Sequence, residues 1–247
     1  MAEFVDTFGR VAQPDYLPYA FFIEGGGLAV ENALKVAFDW KVRKNIEAGN
    51  GEKGTKVIHF DECFHGRTGY TLSLTNTELN KTKLFPQFNW STIYDIDKLD
   101  KYMHSEVAAI IVEPIQGEAG VIVPDKDYWT QVRALCDKHN ILLAMDEVQT
   151  GFGRTGANFA HQLYNVKPDL MGCGKAAGSG IIPVSLVAGS DEVIGVLTPG
   201  SEGSTFGGYP LGAVVGVYAI KVLIEQRLAE NAKIRGAQLM SNFEHMQ

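Results

Sequence analysis

Short apolar runs alternating with longer amphipathic stretches constrain this chain more than any other feature. Runs suited to strands occupy residues 20–23, 56–60, 107–112, 141–145, 170–173 and 184–188. They are too short for ordinary helices and too uniformly apolar for strands with one wet face. Between them, residues 28–44 carry Val30, Leu34 and Phe38 at spacing four, with Glu31 four before Lys35 for a helix-surface ion pair. Residues 128–139 form a second helical pattern. Residues 211–227 form a third, with Leu211, Val214, Val215, Tyr218, Ala219, Val222 and Leu223 on one face. This alternation predicts an α/β domain with a mostly parallel, buried sheet flanked by helices.

Chemically loaded residues follow the same runs. Glu24 and three glycines follow the first, Phe64 and His65 the second, Glu113 the third, Asp146 the fourth and Lys175 the fifth. Open α/β sheets bind ligands at the carboxyl ends of their strands, so five strand ends are expected to meet at one pocket.

Composition narrows the partners. The formal net charge is −7 with no basic block, which argues against nucleic acid. Cys63, Cys136 and Cys173 are scattered without a CxxC spacing. Neither a disulfide framework nor a metal site is expected, and a reducing, cytoplasmic location fits. No apolar run approaches the ~18 to 20 residues that span a bilayer, and the first ten residues lack a signal-peptide core.

Each motif carries a chemical reading and a plainer one. Gly25-Gly26-Gly27 joins a strand to a helix, which suits a phosphate against backbone N–H groups or simply a tight turn. Asp146 at a buried strand end needs a cation or hydrogen-bond donors; a protonated pyridine nitrogen would serve, and so would a helix-capping role. Gln149 could donate to a ring hydroxyl. Lys175, between Gly174 and Ala176, is expected to be partly desolvated, which lowers an amine's pKa and suits a Schiff-base nucleophile. The alternative is a solvated surface lysine. Ser204 and Thr205 offer hydroxyls for a phosphate or sit in a plain surface turn. Phe64 beside His65 offers a ring to stack on a flat cofactor or a piece of core.

Together these segments resemble the class III (omega) aminotransferases of the fold type I pyridoxal-phosphate superfamily. The resemblance covers essentially the whole chain. It is carried by FHGRT at 64–68, VEPIQGEAG at 112–120, DEVQTGFGRTG at 146–156, the Gly174-Lys175 step and GSTFGG at 203–208. It implies pyridoxal 5′-phosphate as cofactor, attached to Lys175 as an imine. Lys175 and Asp146 would then be the catalytic pair, with Asp146 on the pyridine nitrogen and Gln149 on the phenolic oxygen. Phe64, with His65 beside it, would stack on one ring face and Val148 press on the other. Gly26 and Gly27 would hold the phosphate, joined by Thr205 and Ser204. The family supplies that threonine from the neighbouring subunit, so a homodimer is implied. Glu113 matches a structural acid near the cofactor. Glu118 matches a glutamate that switches between substrates, and both are placed on the substrate side.

Up to about residue 85 the chain looks more like lysine 6-aminotransferases, and from about 105 more like ornithine aminotransferases. The implied donor is the terminal amine of lysine or ornithine, and the implied acceptor a 2-oxo acid, 2-oxoglutarate. Gly25 stands where the family usually has Ser or Thr, and Tyr209 where it usually has Asn. By family standards residues 1–247 read as the cofactor-binding large domain, with the N-terminal segment and C-terminal small domain absent. A pyridoxal-phosphate mutase or racemase would share Lys175 and Asp146. A nicotinamide-binding domain would share the α/β pattern, but no glycine stands three residues after Gly27. A non-catalytic cofactor-binding fragment is the remaining reading.

Overall fold

A computed structural model describes residues 1–246. Helix α1 (Ala2–Val11) leads into β1 (Tyr19–Ile23), and the glycine turn into the long helix α2 (Gly26–Glu47). Strand β2 (Lys56–Phe60) is followed by the short helices α3 (Gly69–Leu72) and α4 (Leu79–Thr82), then β3 (Ser91–Ile93). The middle of the chain forms β4 (Val107–Val112), α5 (Tyr128–His139) and β5 (Leu142–Asp146). Strand β6 (Leu170–Cys173) and β7 (Ser185–Gly189) precede the short α6 (Asp191–Ile194). Helices α7 (Pro210–Glu225) and α8 (Leu228–Glu244) follow.

The strands form one seven-stranded sheet in the order β1-β7-β6-β5-β4-β2-β3. Strand β7 is antiparallel to both its neighbours; every other pairing is parallel. The mostly parallel sheet that the alternation predicts is therefore present. Glu24, Cys63–His65, Glu113, Asp146 and Lys175 all follow strands that run the same way, so one edge of the sheet collects them.

Both faces of the sheet are buried, which is why its strands read as unbroken apolar runs. In β4, Ala109 and Ile111 pack with Val30, Leu34 and Trp40 of α2. Val107, Ile110 and Val112 pack with Trp129, Val132 and Cys136 of α5. A third cluster joins Phe4 and Phe8 of α1, Leu186 and Ala188 of β7, and Ala213 and Val217 of α7.

Two expectations fail for physical reasons. Glu31 does not pair with Lys35. Its carboxylate accepts from the backbone N–H of Tyr70 at 2.7 Å, while Lys35 pairs with Glu202. A charge-assisted bond to an otherwise unpaired helix-start N–H outweighs an exposed i,i+4 pair. In α7 the expected apolar face is largely the outer one: Leu211, Val214, Tyr218 and Val222 are exposed. The buried side is Gly212, Ala213, Gly216, Val217, Ile220 and Leu223. Small residues there let α1 approach, so hydrophobicity alone misassigns the face. Helices α1 and α8 and the short β3 were not anticipated.

Among the described residues, no helix is long and apolar enough to cross a membrane, and no His, Cys, Asp or Glu group could hold a metal ion. All three cysteines are buried thiols. A Cβ at Gly216 would lie 2.6 Å from the Phe4 ring. Gly216→Val should therefore part α1 from α7 and destabilise the fold by about 1–3 kcal/mol, measured as a fall in the urea midpoint.

Candidate active site

Asp146 ends the middle strand β5 and is 5 % exposed. Its Oδ2 meets His65 Nδ1 at 2.8 Å, and its Oδ1 accepts from the backbone N–H of Val148 at 3.0 Å. His65 is buried as well, and its Nε2 has no hydrogen-bond partner. Burial alone would lower the His65 pKa, but the neighbouring Cys63 and Asp146 outweigh it and hold the ring well above the usual histidine range. His65 thus bears on the site through Asp146.

Glu113 is buried one loop away. Its Oε1 accepts from the Phe64 N–H at 2.8 Å and its Oε2 from the Gly117 N–H at 3.0 Å. Burial pushes its carboxyl above the usual range, against the pull of His65. With both oxygens engaged by backbone, Glu113 holds the Phe64 loop in place.

The glycine turn needs its glycines. Gly25 has φ 101°, in the left-handed region, and a Cβ at Gly26 would lie 2.6 Å from Val148 Cγ1. Helix α2 begins at Gly26 with no side-chain cap and no acidic residue in its first turn. Its first N–H groups and its dipole therefore favour an anion.

Lys175 follows β6 in the left-handed conformation, φ 42°. Such a backbone costs a non-glycine residue about 1–3 kcal/mol and concentrates at functional sites. Its Nζ donates to Gln149 Oε1 at 2.5 Å. The expected desolvation is not found, for Lys175 is exposed. It stands where the pocket meets an open groove of ≈ 740 Å³, lined by Phe152, Arg154 and Leu228 among others. Backbone geometry, not burial, sets its position.

One pocket of ≈ 180 Å³ brings together Gly26, Gly27, Phe64, His65, Glu113, Asp146, Val148, Gln149 and Lys175. It also takes in Ile115, Gly66 and Thr150, which the sequence reading did not single out. Three expected residues lie elsewhere. Glu118 is exposed outside the pocket, and Thr205 is exposed on its own turn. The Ser204 hydroxyl donates to Glu24 and accepts from the N–H groups of Phe206 and Gly207, so it is committed to its own turn and to the end of β1.

Comparison with known proteins follows the same lines. A family model described as aminotransferase class-III matches residues 2–247. The chain is 44% identical to an ornithine aminotransferase of Oceanobacillus iheyensis, over 83% of this chain and 51% of that protein. It is 40% identical to ornithine aminotransferase 1 of Staphylococcus saprophyticus, over 90% of this chain and 56% of that protein. Among solved structures, a lysine aminotransferase from M. tuberculosis in the internal aldimine form superposes with TM-score 0.94 at 36% identity. That match covers 100% of this chain and 62% of the other. An ornithine aminotransferase from Toxoplasma gondii gives TM-score 0.86 at 32% identity, with 100% and 62% covered. The chain spans about half the length of the curated relatives it matches.

Behind His65, His59 meets Cys63 Sγ at 3.2 Å and Thr92 Oγ1 at 3.0 Å. Burial, and then the neighbouring His65, lower its pKa from 6.5 to about 3. Between those values the unfolded chain binds a proton that the native chain does not. Stability is therefore complete above pH 6.5 and declines as the pH falls toward 3. Denaturant midpoints at pH 7 and 5 should show a loss of about 2 kcal/mol from this residue, which His59→Gln should remove from the slope.

Proposed function

As the chain belongs to the class-III aminotransferase family, we propose that it acts as a pyridoxal-phosphate-dependent aminotransferase on the terminal amine of lysine or ornithine, with 2-oxoglutarate as acceptor. The observation that carries this reading is the meeting of Lys175, Gln149 and the Asp146–His65 pair in one pocket beside Gly26 and Gly27. Pyridoxal 5′-phosphate is the family's cofactor, and the residues present fit it. The glycine turn offers an uncapped helix start where a side chain would collide with Val148. Asp146 offers a buried carboxylate for a ring nitrogen, and Lys175 an amine at the pocket's mouth.

When bound, the cofactor supplies an electron-withdrawing ring that stabilises negative charge on the substrate carbon. Lys175 attaches it and then carries the proton removed from that carbon, as base and acid. Asp146, kept in place by His65, balances the ring nitrogen's charge. Gln149, hydrogen-bonded to Lys175, would serve the ring oxygen, Phe64 and Val148 would bound the ring, and the N–H groups of Gly26 and Gly27 would hold the phosphate. Glu118, exposed outside the pocket, is the candidate switch between substrates. Relatives named for ornithine and for lysine support the choice of donor. Residues 1–247 form the cofactor-binding domain, and two copies pair so that the exposed Thr205 of each reaches the other's phosphate. The buried thiols fit a cytoplasmic enzyme.

Borohydride reduction followed by peptide mapping should place the cofactor on Lys175. Lys175→Ala should abolish the visible absorbance band and lower turnover at least roughly a hundredfold. Glutamate should form from 2-oxoglutarate with lysine or ornithine as donor. A label on another residue, or turnover that needs no 2-oxo acid as a mutase or racemase would show, overturns the proposal.

A further inference from the structure

Next to Asp146 stands a second carboxylate for which the proposed reaction has no use. Glu147 is fully buried and does not line the pocket. Its Oε1 accepts from the backbone N–H of His161 at 2.8 Å and from His161 Nδ1 at 2.8 Å. Its Oε2 accepts from the backbone N–H of Ala160 at 3.0 Å and from the Thr150 hydroxyl at 2.5 Å. A backbone N–H donates to each of the two oxygens. His161, equally buried, meets the Tyr16 hydroxyl through Nε2 at 2.6 Å. Burial, and then the charge of Glu147, push the Tyr16 phenol up, so it keeps its proton. Tyr16, His161 and Glu147 form one hydrogen-bonded chain. Tyr16 belongs to the loop between α1 and β1.

One of these bonds, from Thr150, lies within the turn that lines the pocket, and the others tie that turn to residues 160–161. The Gly151 N–H closes on the Glu147 carbonyl at 2.9 Å, and a Cβ at Gly151 would lie 2.8 Å from that oxygen. Asp146, Val148, Gln149 and Thr150 all project into the pocket from this turn, and Thr150 is itself one of Glu147's donors. Glu147 thus anchors, through Thr150, the turn that carries these four side chains, without lining the pocket itself.

We infer that Glu147 is a positioning residue: tied through His161 to Tyr16, it fixes the turn that aims Asp146, Val148 and Gln149 at the cofactor, and it couples cofactor binding to the seating of the segment before β1. The inference rests on the proposed cofactor. A glutamine in place of Glu147 keeps the shape but turns an N–H₂ group toward N–H donors, so one side of the clamp must open.

The test titrates wild type, Glu147→Gln and Tyr16→Phe with pyridoxal 5′-phosphate. It follows visible absorbance and the circular dichroism of the bound chromophore, with thermal unfolding in parallel. Glu147→Gln should raise the dissociation constant about tenfold, and Tyr16→Phe about threefold. In both, the dichroism per bound cofactor should change, because the ring sits at a new angle. A purely structural role would lower the melting temperature and leave that signal per bound cofactor unchanged. Variants that match wild type in affinity and in dichroism per bound cofactor overturn the role of Glu147, whatever their melting temperature. Wild type that binds no pyridoxal phosphate overturns the proposed cofactor instead. Should Glu147→Gln not fold, Tyr16→Phe, which removes a single hydroxyl, decides alone.

Discussion

The middle strand of the sheet runs into two consecutive carboxylates, and the site is organised by the need to keep both out of water. Successive residues of an extended chain project to opposite sides. The ladder continues past Asp146, with the Glu147 N–H donating to the Gly172 carbonyl at 2.9 Å. One acid therefore reaches the pocket and the next reaches the packed interior. Each meets a histidine nitrogen at 2.8 Å, Asp146 with His65 and Glu147 with His161. Removing one partner of such a buried pair costs about 3–5 kcal/mol, because the remaining charge is stranded. The two histidines arrive from the loop after β2 and the turn before β6, so the pairs tie both neighbouring loops to the end of β5.

The lysine is placed by backbone rather than by solvation. A Cβ at Gly174 would lie 2.9 Å from Ser185 Oγ and 3.3 Å from the Gly26 Cα. Gly174 thus lets β6 end tightly against the glycine turn, and the left-handed step at Lys175 throws its side chain out over Gln149. Glycine turn and lysine, far apart in the sequence, share one close backbone approach.

Much of the fold is legible in the sequence. The strands were legible because both faces are buried, so β4 and β5 carry no polar interruption. The pocket residues were legible because chemistry sits directly after each strand. Strand β3 was missed because it is three residues at the sheet's edge, and α8 because none of its residues is buried. The outward face of α7 reads as the core face because Gly212, Ala213 and Gly216 dilute the hydrophobicity of the inward one. Glu147 was passed over because its partners, His161 and Tyr16, lie in other segments and leave no local pattern. The exposure of Lys175 was equally invisible, since it depends on the shape of the groove beside α7 and α8.

The place of β1 at the sheet's edge, beside β7, also governs the order in which this protein can come together. Strand β1 touches the sheet only through β7, with Ile23 opposite Ser185. A nascent chain that has made YAFFI and the three glycines must hold them, unpaired, until the strand beyond Lys175 has emerged. Pairing over so long a separation is slow, and an apolar strand left open is prone to stray association. The glycine turn is thus made long before the strand that leads into it can be paired.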